Sequence, residues 1–219
     1  MSEAMKKVHT YSLVEELWHA LVHGIGILLS IAALTILVAF SAVHQNVWAL
    51  VSSAIFGASL VLIYSASTLY HAVQDKKIKK YLKKLDHIAI YYLIAGTYTP
   101  FLLTLLRGTI GWTLFGIIWG LAFLGTVLKL VLPANGTKMW SVTLYLSMGW
   151  LVLTASHKLF QTIPSSGLLF LVLGGFFYTA GILFYVWKSK KYTHAIWHFF
   201  VLLGSIMHFF AVLFGCVLI

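Results

Sequence analysis

The chain lacks what a soluble protein needs on its surface. Only 9% of its 219 residues are charged, and Asp and Glu together number 5, whereas a soluble domain carries roughly a quarter charged residues. Cys216 is the only cysteine, which excludes an intrachain disulfide and a thiolate zinc cluster. No polar stretch is long enough for a separate soluble domain; the longest are residues 1–18 and 74–84. Thr193 to Val217 contains no lysine, so a rhodopsin-like retinal Schiff base is excluded. No internal repeat is visible, which leaves an inverted-repeat transporter without support. No cleavable signal is expected either, because the first apolar run, 19–43, is too long for a signal core and lacks a small-residue cleavage site.

What is present is hydrophobic sequence, 61% of the chain. Apolar runs fall at 19–43, 47–73, 86–106, 110–132, 139–157, 167–187 and 193–217, each near the roughly 20 residues that cross a hydrocarbon core of about 30 Å as a helix. Stop signals separate them at His44-Gln45-Asn46, Pro133-Ala134-Asn135-Gly136 and Pro164-Ser165-Ser166-Gly167. The expectation is an all-α integral membrane protein with seven transmembrane helices: a cytoplasmic N-terminal segment, 1–18, and a transmembrane domain, 19–219. Gly116-x-x-x-Gly120, Gly174, Gly175 and Gly181 are read as close-packing positions between spans, and Pro100 as a kink in the third.

The net charge of +10 suggests nucleic acid until the lysines are placed. They fall in short connections between apolar runs. One side receives Lys6, Lys7, Lys76, Lys77, Lys79, Lys80, Lys83, Lys84, Lys129, Lys138, Lys188, Lys190 and Lys191; the other receives only Arg107 and Lys158. Positive charge stays cytoplasmic, so the N-terminus is inside and the C-terminus outside, the reverse of a G-protein-coupled receptor. No nucleic-acid partner is expected.

Three distant clusters then lie at one membrane depth, on the cytoplasmic side: Ser67-x-x-x-His71, Leu85-Asp86-His87 and His194-x-x-x-His198. Each has an ordinary explanation alone. Asp86 can cap a helix, Ser67 can pack and bond its own backbone, and the histidine pair can bond loop carbonyls. Polar residues are costly at such depths and tend to be functional, and their convergence points to a site. His194 and His198 share a helix face; with His71 they offer three nitrogens to Zn2+, leaving a fourth position for water, as in catalytic zinc sites. Asp86 could accept the proton of that water, and Ser67 could bond it or a developing oxyanion. Glu16, His19 and His23 share one face of the first span, either as second-shell and cavity residues or as an ordinary acidic helix start. His208, deeper in the last span, is a cavity residue or an interhelical contact. His9, His44, His87 and His157 are read as non-ligands.

These residues resemble a known family. Glu15-Glu16-Leu17-Trp18-His19-Ala20-Leu21-Val22-His23-Gly24-Ile25-Gly26, Ser67-Thr68-Leu69-Tyr70-His71, Leu85-Asp86-His87 and the His194/His198 pair look like the bacterial hemolysin III proteins. These belong to the progestin and adipoQ receptor superfamily, and the resemblance runs through essentially the whole chain. It implies zinc on His71, His194 and His198, with Asp86 contacting the zinc water, as in adiponectin receptors. The wider similarity to alkaline ceramidases implies a membrane-lipid amide as substrate, in a multi-pass protein of a bacterial cytoplasmic membrane. The chain shows neither the long cytoplasmic N-terminal domain of the receptors nor an eighth span, so a hormone-receptor role is not expected. Three functions follow as expectations: a zinc-dependent lipid amide hydrolase, a membrane-perturbing cytolysin as the family name implies, and a zinc-containing sensor without turnover.

Overall fold

The computed structural model describes residues 11–132, 137–187 and 190–219, without the side chains of 137–139. Lys6, Lys7, His9, Lys188, the stop signal at 133–136, the Lys138 side chain and most of the 1–18 segment lie outside the described residues. Within them, the regular secondary structure is helical throughout. The elements are α1 (Leu13–Val43), α2 (Val47–Ala72), α3 (Lys76–Leu103), α4 (Thr109–Val131), α5 (Thr137–Gly149), a 3₁₀ turn (Trp150–Ala155), α6 (Ser156–Thr162), α7 (Ser165–Val186) and α8 (Thr193–Val212), with a π-helical end at Leu213–Val217. Five helices are long and apolar enough to cross a membrane: α1, α2, α4, α7, and α8 with its π-helical end.

The helix starts are set by local chemistry. At α1, the Ser12 hydroxyl accepts the Glu15 N–H while the Glu15 carboxylate accepts the Ser12 N–H, a reciprocal capping box. At α3 the structure corrects the sequence reading. The lysine-rich stretch expected as a loop at 74–84 is the opening of the helix. Asp75 caps it, its carboxylate accepting the N–H groups of Lys77 and Ile78 at 2.9 Å each. Lys76 to Leu85 contains no glycine or proline, and lysine, leucine and isoleucine all tolerate a helix well. Asp86 therefore lies well inside α3 and caps nothing.

The fifth apolar run also departs from expectation, because it is not one continuous α-helix. It tightens into the 3₁₀ turn after Gly149, and Tyr98 of α3 fills the break. The Tyr98 hydroxyl donates to the Gly149 carbonyl and accepts the Val152 N–H, both at 2.8 Å. In a dry interior the backbone groups freed by a break need such a partner.

Neighbouring helices pack in chain order from α1 to α4, α5 joins α3 and α4, and α7 packs on α8. Contact between α8 and α1 closes the bundle and positions the site. The buried stripe of α1 runs Glu16, His19, His23, Gly26, Ser30, Ala33, Leu37, Ser41, the spacing of one helix face. Its other face presents Leu17, Leu21 and Leu28 outward.

Glycine permits two of the closest approaches. A Cβ on Gly26 would meet the Tyr64 ring, and one on Gly174 would meet the His208 ring. Gly116 and Gly120 behave otherwise: a Cβ on either would meet nothing, and both are exposed, so they do not pack spans of this chain together. Gly174→Leu is expected to destabilise the bundle by about 1–3 kcal/mol through overpacking against His208, read as a lower melting temperature in detergent; Gly116→Leu should leave it unchanged.

Candidate metal centre

Four helices converge at one end of the bundle. α1 contributes Glu16, His19 and His23 from its first turns, α2 contributes Ser67 and His71 from its last, α3 contributes Asp86, and α8 contributes His194 and His198 from its start. One ligand atom from each of His19, His71, His194 and His198 lies within 4.8 Å of the others. His19, His71 and His198 are buried and His194 is half-buried.

The hydrogen bonds leave this cluster with free lone pairs. His71 Nδ1 lies 2.6 Å from Glu16 Oε2, so the Nδ1–H donates to the carboxylate and the ring's other nitrogen is the bare one. Glu16 is held in turn by Lys79, whose Nζ is 2.8 Å from Oε1. His198 Nδ1 lies 2.6 Å from His23 Nε2, and donating there leaves its own Nε2 bare. His19 Nδ1 is 3.3 Å from His71 Nδ1. Nε2 of His19, of His71 and of His198 are all buried with no hydrogen-bond partner among the described residues. A buried polar atom without a partner is costly, and three imidazole acceptors in one cluster are what a divalent cation would satisfy. The residues present fit a metal ion.

The remaining candidates fall around this cluster. Asp86 is buried and is not among the groups that close on one another; its carboxylate lies 4.0 Å from His87 Nδ1. The buried Ser67 hydroxyl faces Asp86 but makes no hydrogen bond of ordinary geometry among the described residues. His208 lies outside the cluster, bonding the Gly204 carbonyl at 2.8 Å and stacking on Tyr178. His44, His87 and His157 are satisfied by Phe40 O, Lys83 O and Gln161 respectively.

Sequence reasoning placed His19 beside the site, whereas the structure puts it in the cluster. It missed Tyr11, whose ring stacks on His194 and meets His19 edge-on. It also missed Lys79 as the partner of Glu16. The helical reach of Lys79 from Asp75 was the available signal. If the cluster holds a metal ion, Glu16→Gln is expected to weaken its binding about 10- to 100-fold, the usual cost of losing the carboxylate behind a ligating histidine, with helicity unchanged; a metal titration measures it.

Deeper in the bundle, an apolar cavity of about 220 Å³ lies between α1, α2 and α8, lined among others by Gly26, Ala33, Leu60, Tyr64, Leu202 and Phe209. Tyr64 separates it from the cluster. Its ring packs edge-on against His23 at 5.0 Å, and its hydroxyl donates to Ser205 at 2.7 Å.

Fold and site together define a helical integral membrane protein with a buried polyhistidine centre able to hold a metal ion. Residues 11–209 match the family model described as Haemolysin-III related, and the chain belongs to that family. It is 48% identical to the Hemolysin-3 homolog of Bacillus subtilis (strain 168), over 94% of this chain and 97% of that protein. It is 44% identical to Hemolysin-3 of Bacillus cereus, over 98% and 97% respectively. A more distant relative is the monocyte to macrophage differentiation factor of Homo sapiens, 29% identical over 77% of this chain and 71% of that one, itself a member of the progestin and adipoQ receptor superfamily.

Proposed function

We propose that the histidine cluster binds zinc and that the protein hydrolyses a membrane-lipid amide or ester. In this reading the chain has seven spans, with α3 and the α5–α6 unit joining the five apolar helices. Its N-terminus is cytoplasmic and its C-terminus outside, in a bacterial cytoplasmic membrane. The observation that carries the proposal is the set of three buried Nε2 atoms on His19, His71 and His198 that have no hydrogen-bond partner among the described residues.

His71, His194 and His198 would hold the ion and leave its fourth position to water, with His19 close enough to hydrogen-bond that water. Bound there, zinc supplies Lewis acidity and acidifies a water toward neutral pH. Glu16 and His23 fix the ring orientations of His71 and His198. Asp86 acts as general base, taking the proton of the attacking water and returning it to the leaving group. Ser67 donates its hydroxyl proton to the oxygen that gains charge.

The apolar cavity supports a lipid substrate. Leu29 and Ile36 on its α1 wall are 43% and 38% exposed, so its mouth faces the hydrocarbon around the bundle. An acyl chain entering there meets the hydroxyls of Tyr64 and Ser205 at the inner end, beside His23.

The test is turnover of a panel of N-acyl and ester lipids in proteoliposomes, before and after chelation and after zinc is restored. Hydrolysis that disappears with zinc and returns with it supports the proposal. Stoichiometric zinc with no turnover across the panel overturns the hydrolase and favours a sensor. A membrane-perturbing role rests on the names of the two Bacillus relatives; dye release from liposomes equal in wild type and His194→Ala/His198→Ala would rule out a zinc-dependent lytic mechanism.

A further inference from the structure

The residues just ahead of α1 lie over the histidine cluster, at the end formed by the first turns of α1 and α8. The Tyr11 ring stacks on His194 at 5.0 Å and 17°, and meets His19 edge-on at 4.9 Å and 85°. It stands 6.4 Å from His71. One aromatic ring thus faces three of the four clustered imidazoles from outside.

A second contact ties this segment to the far side of the mouth. Glu15 is buried, and its Oε1 accepts the Tyr192 N–H at 3.1 Å while Oε2 accepts both the N–H and the hydroxyl of Ser12 at 2.9 Å. Tyr192 leads directly into the helix that carries His194 and His198. It has φ 64° and ψ −1°, a left-handed conformation uncommon for any residue but glycine. That conformation places its N–H at the Glu15 carboxylate. Between Tyr11, Glu15, Phe184, Tyr185, Tyr192 and His194 only about 10 Å³ of space remains, no more than a single water occupies.

We propose that residues 11–15 form a stopper for the histidine site: Tyr11 fills its mouth, and the Glu15–Tyr192 hydrogen bond latches the segment across it. Water-borne solutes, metal ions and chelators included, reach the buried His19, His71 and His198 from this end only when the latch opens. A lipid entering through the apolar cavity does not pass it. The closure rests on the proposed metal site for its significance but not for its detection.

The test uses the whole chain in detergent, free of metal, modified with diethyl pyrocarbonate and read residue by residue by mass spectrometry. Tyr11→Ala and Glu15→Ala are expected to raise the modification rates of His19 and His194 by about tenfold, as the opening equilibrium shifts. Tyr11→Phe, which keeps the ring, should match wild type. Exposed His157 serves as the reference and buried His208 as the control. Unchanged rates at His19 and His194 in Tyr11→Ala overturn the proposal. So does simultaneous modification of His208, because the segment would then be holding the bundle together and not closing its mouth. In a second arm, zinc-loaded Tyr11→Ala should surrender its metal to EDTA correspondingly faster. If the protein takes up no zinc, the metal reading fails while the modification arm still decides the stopper.

Discussion

If the cluster binds zinc as proposed, His71→Ala is expected to bring the zinc content from about one ion per chain, the stoichiometry of a single tetrahedral site, down to background. The double variant His194→Ala/His198→Ala should do the same. His71 reaches the cluster from α2, the other two from α8, so either variant removes the ligands of a whole helix. His71→Ala also takes away the proton donor that Glu16 is aimed at, leaving that buried carboxylate with Lys79 alone. His208→Ala should retain its zinc, since that ring bonds Gly204 and stacks on Tyr178 away from the cluster. Elemental analysis of detergent-purified protein gives the result directly. Circular dichroism on the same samples separates loss of metal from loss of fold.

The same variants should lose a stability increment. A ligand at a hundredfold excess over its Kd adds about 2.7 kcal/mol to the folded state, so chelation should lower the wild-type melting temperature and leave His71→Ala unmoved. Zinc at wild-type level in His71→Ala, or none in well-folded wild type, would leave these histidines as interhelical contacts.

How much of this was legible beforehand differs between residues. His71, His194 and His198 stand out in the sequence because polar groups at the ends of apolar runs are few, and the structure brings their ligand atoms together with His19; Ser67 and Asp86 stand out for the same reason but lie beside that group. The role of His19 was not legible. Helical spacing places Glu16, His19 and His23 on one face, but which of them enters the cluster depends on how α8 closes against α1. The start of α3 could have been read from Asp75 and the glycine- and proline-free run behind it. Its lysine density instead resembles that of a solvated loop. The break after Gly149 leaves no trace in hydrophobicity, because it is stabilised from another helix by Tyr98. Gly116 and Gly120 illustrate the opposite failure: their spacing suits close packing, yet α4 turns both outward.

Asp86→Asn should separate holding the metal from using it. The substitution keeps shape and removes basicity. Asp86 is not among the atoms that close on one another in the cluster, so zinc content should stay at the wild-type level. Because Asp75, and not Asp86, caps α3, the fold should lose little; an amide in place of a buried carboxylate also avoids leaving a charge unpaired. Turnover of a lipid amide should nonetheless fall by about 10²- to 10⁴-fold, the usual contribution of a positioned general base, and appear in kcat and not KM. Ser67→Ala should cost less, since it removes one hydroxyl and leaves the base in place. The two substitutions together should fall short of the product of their separate effects, because Ser67 faces Asp86 and neighbouring groups do not act additively. Turnover unchanged in Asp86→Asn would remove the base and direct attention to Glu16, the carboxylate that bonds His71. Zinc lost along with turnover would make Asp86 a residue that positions the histidines, with no part in moving the proton.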